Sequence, residues 1–76
     1  MKIAITFKYN ADNYKLVLEK RGFNIGNSSN LKTLWVYDLK YIYTNFNNEL
    51  VLEDRRIEHY KIDLKDIDYY EIHSEN

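Results

Sequence analysis

The stretch HYKIDLKDIDYYEIH, residues 59–73, holds most of the side chains here that could do chemistry. His59 and His73 are the chain's two histidines, and Asp63, Asp66 and Asp68 lie between them. Clustered carboxylates are hard oxygen ligands for magnesium or calcium. A carboxylate beside an imidazole is also the usual pair for moving protons. The spacing argues against both. The stretch has no glycine and no regular alternation of ligands, so it lacks an EF-hand pattern. With no cysteine in the chain, a thiolate zinc site is excluded. Acid–base catalysis needs groups held in a pocket with shifted pKa values, and a very small domain offers few such places. Ser28, Ser29 and Ser74 fall in a loop and at a terminus, where no base holds them as a nucleophilic triad needs, and no glycine-rich phosphate loop exists. The expectation is therefore no catalytic residue, no metal, no cofactor and no enzyme. A small metal-dependent enzyme using Asp63 and Asp68 is an alternative.

Surfaces are more informative than reactive groups. Residues 1–40 carry seven cations against three carboxylates, whereas residues 41–76 carry four against nine. Such asymmetry bears on partners. An acidic surface with aromatic anchors complements a basic groove, speeding association and selecting partners. The expected partner-binding residues are Glu53, Asp54, Glu58, Asp63, Asp66, Asp68, Tyr69 and Glu71, with Glu49 and Glu75 beside them. The rival surface is aromatic. Trp35, Tyr37, Tyr41 and Tyr43 share one face if residues 33–44 are a single strand, and Lys2, Lys8 and Lys15 share another. Bases stack on such rings while lysines steer the backbone, so a small single-stranded nucleic-acid-binding β module is a second alternative. The net charge of −1 ranks it behind a protein partner.

The elements that position these residues are mostly strands. Ile3, Ile5, Phe7 and Tyr9 alternate with polar positions, the period of a half-buried strand. Residues 14–21 read two ways. As a returning strand they set Tyr9 against Tyr14, Phe7 against Leu16 and Ile5 against Leu18. As a helix they place Asn10 at the cap, a stripe of Ala11, Tyr14, Val17 and Leu18 on one side, and Gly22 just past the end. The three matched pairs tilt the reading to the hairpin. Residues 22–30, GFNIGNSSN, read as a loop.

Residues 33–44 and 49–60 read as a long ribbon turning at NFNN. In its register Thr44 faces Glu49, Ile42 faces Val51, Lys40 faces Glu53, Asp38 faces Arg55 and Val36 faces Ile57. On the other face Tyr43 meets Leu50, Tyr41 meets Leu52 and Tyr37 meets Arg56. A kink is expected near Asp38 and Leu39 or near Glu53 and Asp54. Tyr60, Ile62 and Leu64 then alternate. One helical turn at residues 64–67 tucks Leu64 and Ile67 inward. A final strand over residues 68–73 puts Tyr70 and Ile72 on one face, with Tyr69, Glu71 and His73 on the other. Ser74, Glu75 and Asn76 are expected to fray.

Length and composition bound the class. The 76 residues permit one domain, residues 1–76, with a thin core. No apolar run approaches the span of a bilayer, and MKIAITFKYN is too short and too polar for a signal peptide. The expected location is the cytoplasm, without membrane contact. The expected fold is mainly β, a small twisted antiparallel sheet with at most one or two short helices. An α+β fold with a helix at about 11–21 is the alternative.

Very short, free of cysteine, rich in tyrosine and asparagine and without catalytic signatures, the chain resembles phage and mobile-element proteins in composition. Many of those inhibit host defence, CRISPR nucleases included. The resemblance implies an anti-CRISPR-like inhibitor acting in the host cytoplasm. The expected function is a non-catalytic interaction module that docks on a protein, a basic nucleic-acid-binding enzyme in the sharpest form. Pairing of two copies through an exposed sheet edge is a further expectation.

Overall fold

The computed structural model describes residues 1–26 and 28–74. Its central strand is β1 (Lys2–Phe7). The expected alternation is present, with Ile3, Ile5 and Phe7 fully buried.

The chain then enters a helix, α1 (Asp12–Lys20), rather than a returning strand. Asn10 Oδ1 accepts from the Asp12 amide at 2.8 Å, so Asn10 acts from just outside, with Ala11 at the cap position. At the far end the Gly22 amide donates to the Glu19 carbonyl and the Phe23 amide to the Leu18 carbonyl, both at 3.0 Å. This double closure needs a residue at positive φ, and Gly22 supplies it at 84°. Leu18 and Phe23, the two ends of the motif, both join the core. The hairpin loses because both edges of β1 are occupied by distant strands. Phe7 finds its aromatic neighbour in Tyr14, stacked from the helix at 4.5 Å.

The stretch expected to be a loop contains a short strand, β2 (Asn24–Gly26), which pairs with β3 (Thr33–Tyr37). Residues 33–44 are not one strand. Asp38 sits at φ 56°, a region open to Asp, and the chain turns there into a second sheet. The kink expected near Asp38 is thus present, and it separates β3 from β4 (Leu39–Thr44). After β4 come β5 (Glu49–Asp54), β6 (His59–Asp63), a 3₁₀ turn (Leu64–Asp66) and β7 (Ile67–His73). Among the described residues one sheet has the order β2-β3-β1-β7 and the other β4-β5-β6, with every pairing antiparallel. The fold is mainly β with one α-helix, as expected.

The ribbon register needs correction. Thr44 pairs with Leu50, Tyr43 with Val51, Ile42 with Leu52 and Tyr41 with Glu53, one residue off the expected set. The cause is the turn. The Asn45 amide donates to the Glu49 carbonyl, so three residues and not four make the loop, and Asn48 takes φ 57°. Loop length fixes hairpin register, and a three-residue loop places its last residue in the left-handed region. Lys40 therefore does not face Glu53; it lies in an irregularity between Leu39 and Tyr41. The expected partners of Val36, Tyr37 and Asp38 also fall away, because β3 pairs with β1 and β2, with Val36 opposite Ile3.

The two sheets and α1 close on one core. Ile3, Ile5, Phe7, Leu34 and Val36 come from the first sheet, Leu50, Leu52 and Ile62 from the second, and Leu18 from the helix. Ile67 and Leu64 tuck against it from the 3₁₀ turn, as expected. Among the described residues no buried polar side-chain atom lacks a hydrogen-bond partner.

Candidate interaction surface

The outer face of the first sheet follows from its registers. Lys2, Ala4 and Thr6 of β1 point away from the core. Beside them stand Thr33, Trp35 and Tyr37 of β3, and Tyr69, Glu71 and His73 of β7. Trp35 lies directly opposite Ala4, whose methyl leaves room for an indole. Tyr37 lies over Gly26, where a Cβ would collide with its ring. The two rings stack with centroids 6.2 Å apart and planes at 12°. The His73 ring lies tilted to the indole, with centroids 5.5 Å apart. Lys2 Nζ lies 5.8 Å from the Trp35 ring and 6.0 Å from Tyr37, within cation–π range. Glu71 Oε1 and His73 Nε2 are 2.8 Å apart. α1 packs on the core side, through Leu18 and Tyr14; on this face Tyr69 and Glu71 are exposed, while Trp35 and Tyr37 are half-buried.

Trp35 and Tyr37 do not share a face with Tyr41 and Tyr43. The crossing at Asp38 moves the latter pair to the outer face of the second sheet. There Tyr41, Glu53 and His59 form one cross-strand row, and Tyr43, Val51 and Lys61 the next. His59 Nε2 approaches Glu53 Oε1 at 2.7 Å. Lys15 is on α1, so it does not share a sheet face with Lys2.

The eight expected partner-binding residues divide into two groups. Asp63, Asp66, Asp68, Tyr69 and Glu71 follow one another from the end of β6 through the 3₁₀ turn along β7. Glu53, Asp54 and Glu58 belong to the second sheet and its β5–β6 turn. Most of the carboxylates have a side-chain or backbone partner. Asp54 binds Arg56 through Nε at 3.0 Å and Nη2 at 2.6 Å. Glu58 binds Arg21, with Nε at 3.1 Å. Asp63 accepts from the Lys65 amide at 3.1 Å and caps the 3₁₀ turn. Asp68 is exposed beside the irregularity in the β1–β7 ladder. Glu75 lies outside the described residues, as does Asn76 of the tail expected to fray.

Two clusters were not visible in the sequence. The first joins α1 to the 3₁₀ turn. Tyr14 donates its hydroxyl to Asp66 Oδ2 at 2.5 Å. Burial, then the Asp66 carboxylate, push the Tyr14 hydroxyl well above its ordinary range. The Tyr14 hydroxyl, then that of Tyr9, hold Asp66 below the ordinary carboxylate range. The two pKa values are driven apart, and the hydrogen bond ties α1 to the 3₁₀ turn. The second cluster joins the end of α1 to the β5–β6 turn. Arg56 Nη2 donates to the Arg21 carbonyl at 2.9 Å, and its guanidinium closes over Gly22. This turn, with Asn24, Tyr37 and Asp38, walls a groove of ≈ 330 Å³. Lys20-Arg21 and Arg55-Arg56 are each legible as basic dyads, but nothing local says that they meet.

Among the described residues no three His, Asp or Glu side chains gather as a metal site. No helix among them is long and apolar enough to cross a membrane. No protein-family model, curated protein or solved structure matches the chain.

Proposed function

We propose that this protein is a non-catalytic interaction module that docks through the outer face of its four-stranded sheet and the adjoining acidic edge. The observation that carries the reading is that Trp35, Tyr37 and Tyr69 stand on one sheet face with Glu71, and that Asp68 is exposed at its edge. Aromatic anchors beside charge are what binding hot spots use. In the sharpest form the partner is a basic, nucleic-acid-handling protein. The module is then its inhibitor in the host cytoplasm, phage-encoded and anti-CRISPR-like, with carboxylates standing where phosphates would. Composition supports that narrower form; the sheet face supports the broader one.

The test is affinity for a panel of nucleic-acid-binding enzymes at low and high salt, repeated with Trp35→Ala and Glu71→Gln. At least one enzyme should bind, weaken as salt rises, and lose about tenfold with either variant. Affinity indifferent to salt and to both substitutions would overturn the reading. The Trp35–Tyr37 stack beside Lys2 favours one other possibility, stacking of single-stranded bases. It predicts retention on oligonucleotides at low salt, lost in Trp35→Ala. Glu71 and the acidic rim oppose it by repelling phosphates.

A further inference from the structure

The four sheet edges are not equally guarded. A free strand edge invites pairing, and proteins blunt it with short length, bulges, lysines or inward-pointing charges. At one edge of the first sheet β2 has three residues. In the second sheet β4 carries an irregularity and Lys40, and β6 has Lys61 at its centre. β7 is seven residues long and has no proline, glycine or lysine. Its one irregularity lies at its start, next to Ile67. Among the described residues nothing pairs with its outer side.

The side chains of β7 say what would fit there. Tyr70 lies opposite Ile5 and Ile72 opposite Ile3, so both are on the core face. Yet they remain 37% and 44% exposed, so the core is open along this rim. On the other face stand Tyr69 and Glu71, and the exposed carboxylate of Asp68 lies at the strand's entry. A second copy of this chain fits poorly. Antiparallel self-pairing centred on Tyr70 sets the Asp68 carboxylate against Ile72, and a shift that centres it on Glu71 sets that carboxylate against its own counterpart. Opposed like charges destabilise a ladder.

We infer that the free edge of β7 accepts an extended segment of a partner protein as a fifth strand. The segment alternates apolar residues, which cover Tyr70 and Ile72, with lysine or arginine, which face Glu71 and the Asp68 carboxylate at the strand's entry. Main-chain hydrogen bonds supply affinity and the alternating side chains supply selectivity. The inference rests on the interaction-module reading and names the partner's chemistry.

The probe is a heptapeptide alternating lysine with valine. The controls are the same peptide N-methylated at its valines and a lysine heptamer of no apolar content. Binding is followed by amide hydrogen exchange. The alternating peptide should slow exchange at every second amide between Tyr69 and Ile72, those directed away from β1. The methylated peptide should bind about tenfold more weakly or worse. Tyr70→Lys, which points a charge inward at the rim, should abolish the protection while leaving the thermal transition in place. Equal binding of the methylated peptide or the lysine heptamer overturns strand addition, as does a peptide that shifts Trp35 signals with no change on β7. The latter result leaves the sheet-face reading intact. Protection of β7 that grows with protein concentration alone, with a dimer in light scattering, replaces the partner strand by a second copy and overturns the assignment.

Discussion

Asp54 and Asn45 hold the same place in two turns. Each side-chain Oδ1 accepts from two backbone amides: Arg56 and Glu58 in one case, Asn47 and Glu49 in the other. Only Asp54 adds a charge, which Arg56 meets. Burial alone would raise the Asp54 carboxyl, but the Arg56 guanidinium and the Glu58 and Arg56 amides outweigh it, and the group sits below its ordinary value. A carboxyl depressed in the fold stabilises it above the unfolded pKa, and that contribution is lost as pH falls through the folded value. Asp54→Asn keeps the acceptor for the amides and removes the charge. It should cost about 1–2 kcal/mol near neutral pH, as a charge-assisted hydrogen bond does. The difference from the parent should close as pH falls through the depressed folded value, where the parent carboxyl is protonated too. Urea denaturation near neutral pH and across an acid series reads it, and a gap that does not narrow in acid would show that the charge contributes nothing.

At the scale of elements the two turns diverge at their fourth residue. Asn48 and Ile57 both take positive φ, 57° and 69°. Asparagine tolerates that region; a β-branched side chain crowds the backbone there, at about 1–2 kcal/mol. Ile57 is 66% exposed, so its packing repays little of the strain. Ile57→Asn should raise stability by about 1 kcal/mol and the melting temperature by roughly 4–8 °C for a domain of this size. Asn48→Ile should do the opposite. Scanning calorimetry of both variants decides it; a lower melting temperature for Ile57→Asn means that the isoleucine makes a contact worth more than its strain.

The turns also explain what could be read in advance. The β1 alternation was legible because one face of that strand is wholly apolar and buried. Residues 14–21 were not, since the apolar positions that suit a hairpin also suit a helical stripe. What decided between them was remote, namely that β3 and β7 had already taken both edges of β1. The one-residue register error came from the handedness of Asn48, which removes one residue from the loop. The acidic residues were legible individually, but their partners were not. Arg21 reaches Glu58 across 37 positions and Tyr14 reaches Asp66 across 52.

Over the whole molecule the charge asymmetry between halves is folded away. Lysine-bearing β1 is a direct neighbour of acidic β7, and Arg21 sits against Glu58. The outer sheet face is the product of three strands, two from opposite ends of the chain and one from its middle, and its roles stand or fall with their pairing. Phe7 is fully buried where β1, α1 and β7 meet. Phe7→Ala should cost about 3–5 kcal/mol, close to the whole stability expected of a domain this small. Loss of a cooperative thermal transition is the expected result; a sharp transition near the parent temperature would mean that the core relaxes around the void.

The return of β7 to β1 carries a practical corollary. Phe46 protrudes fully at the tip of the β4–β5 turn, a natural place to sever the backbone. Severed there, the leading piece keeps β1 to β4 with α1, and the trailing piece keeps β5 to β7. Neither owns a complete oily interior, and each owns strands that both sheets require. Two such fragments should be structureless alone and reassemble on mixing, so the protein would serve as a split reporter whose signal depends on the halves finding each other.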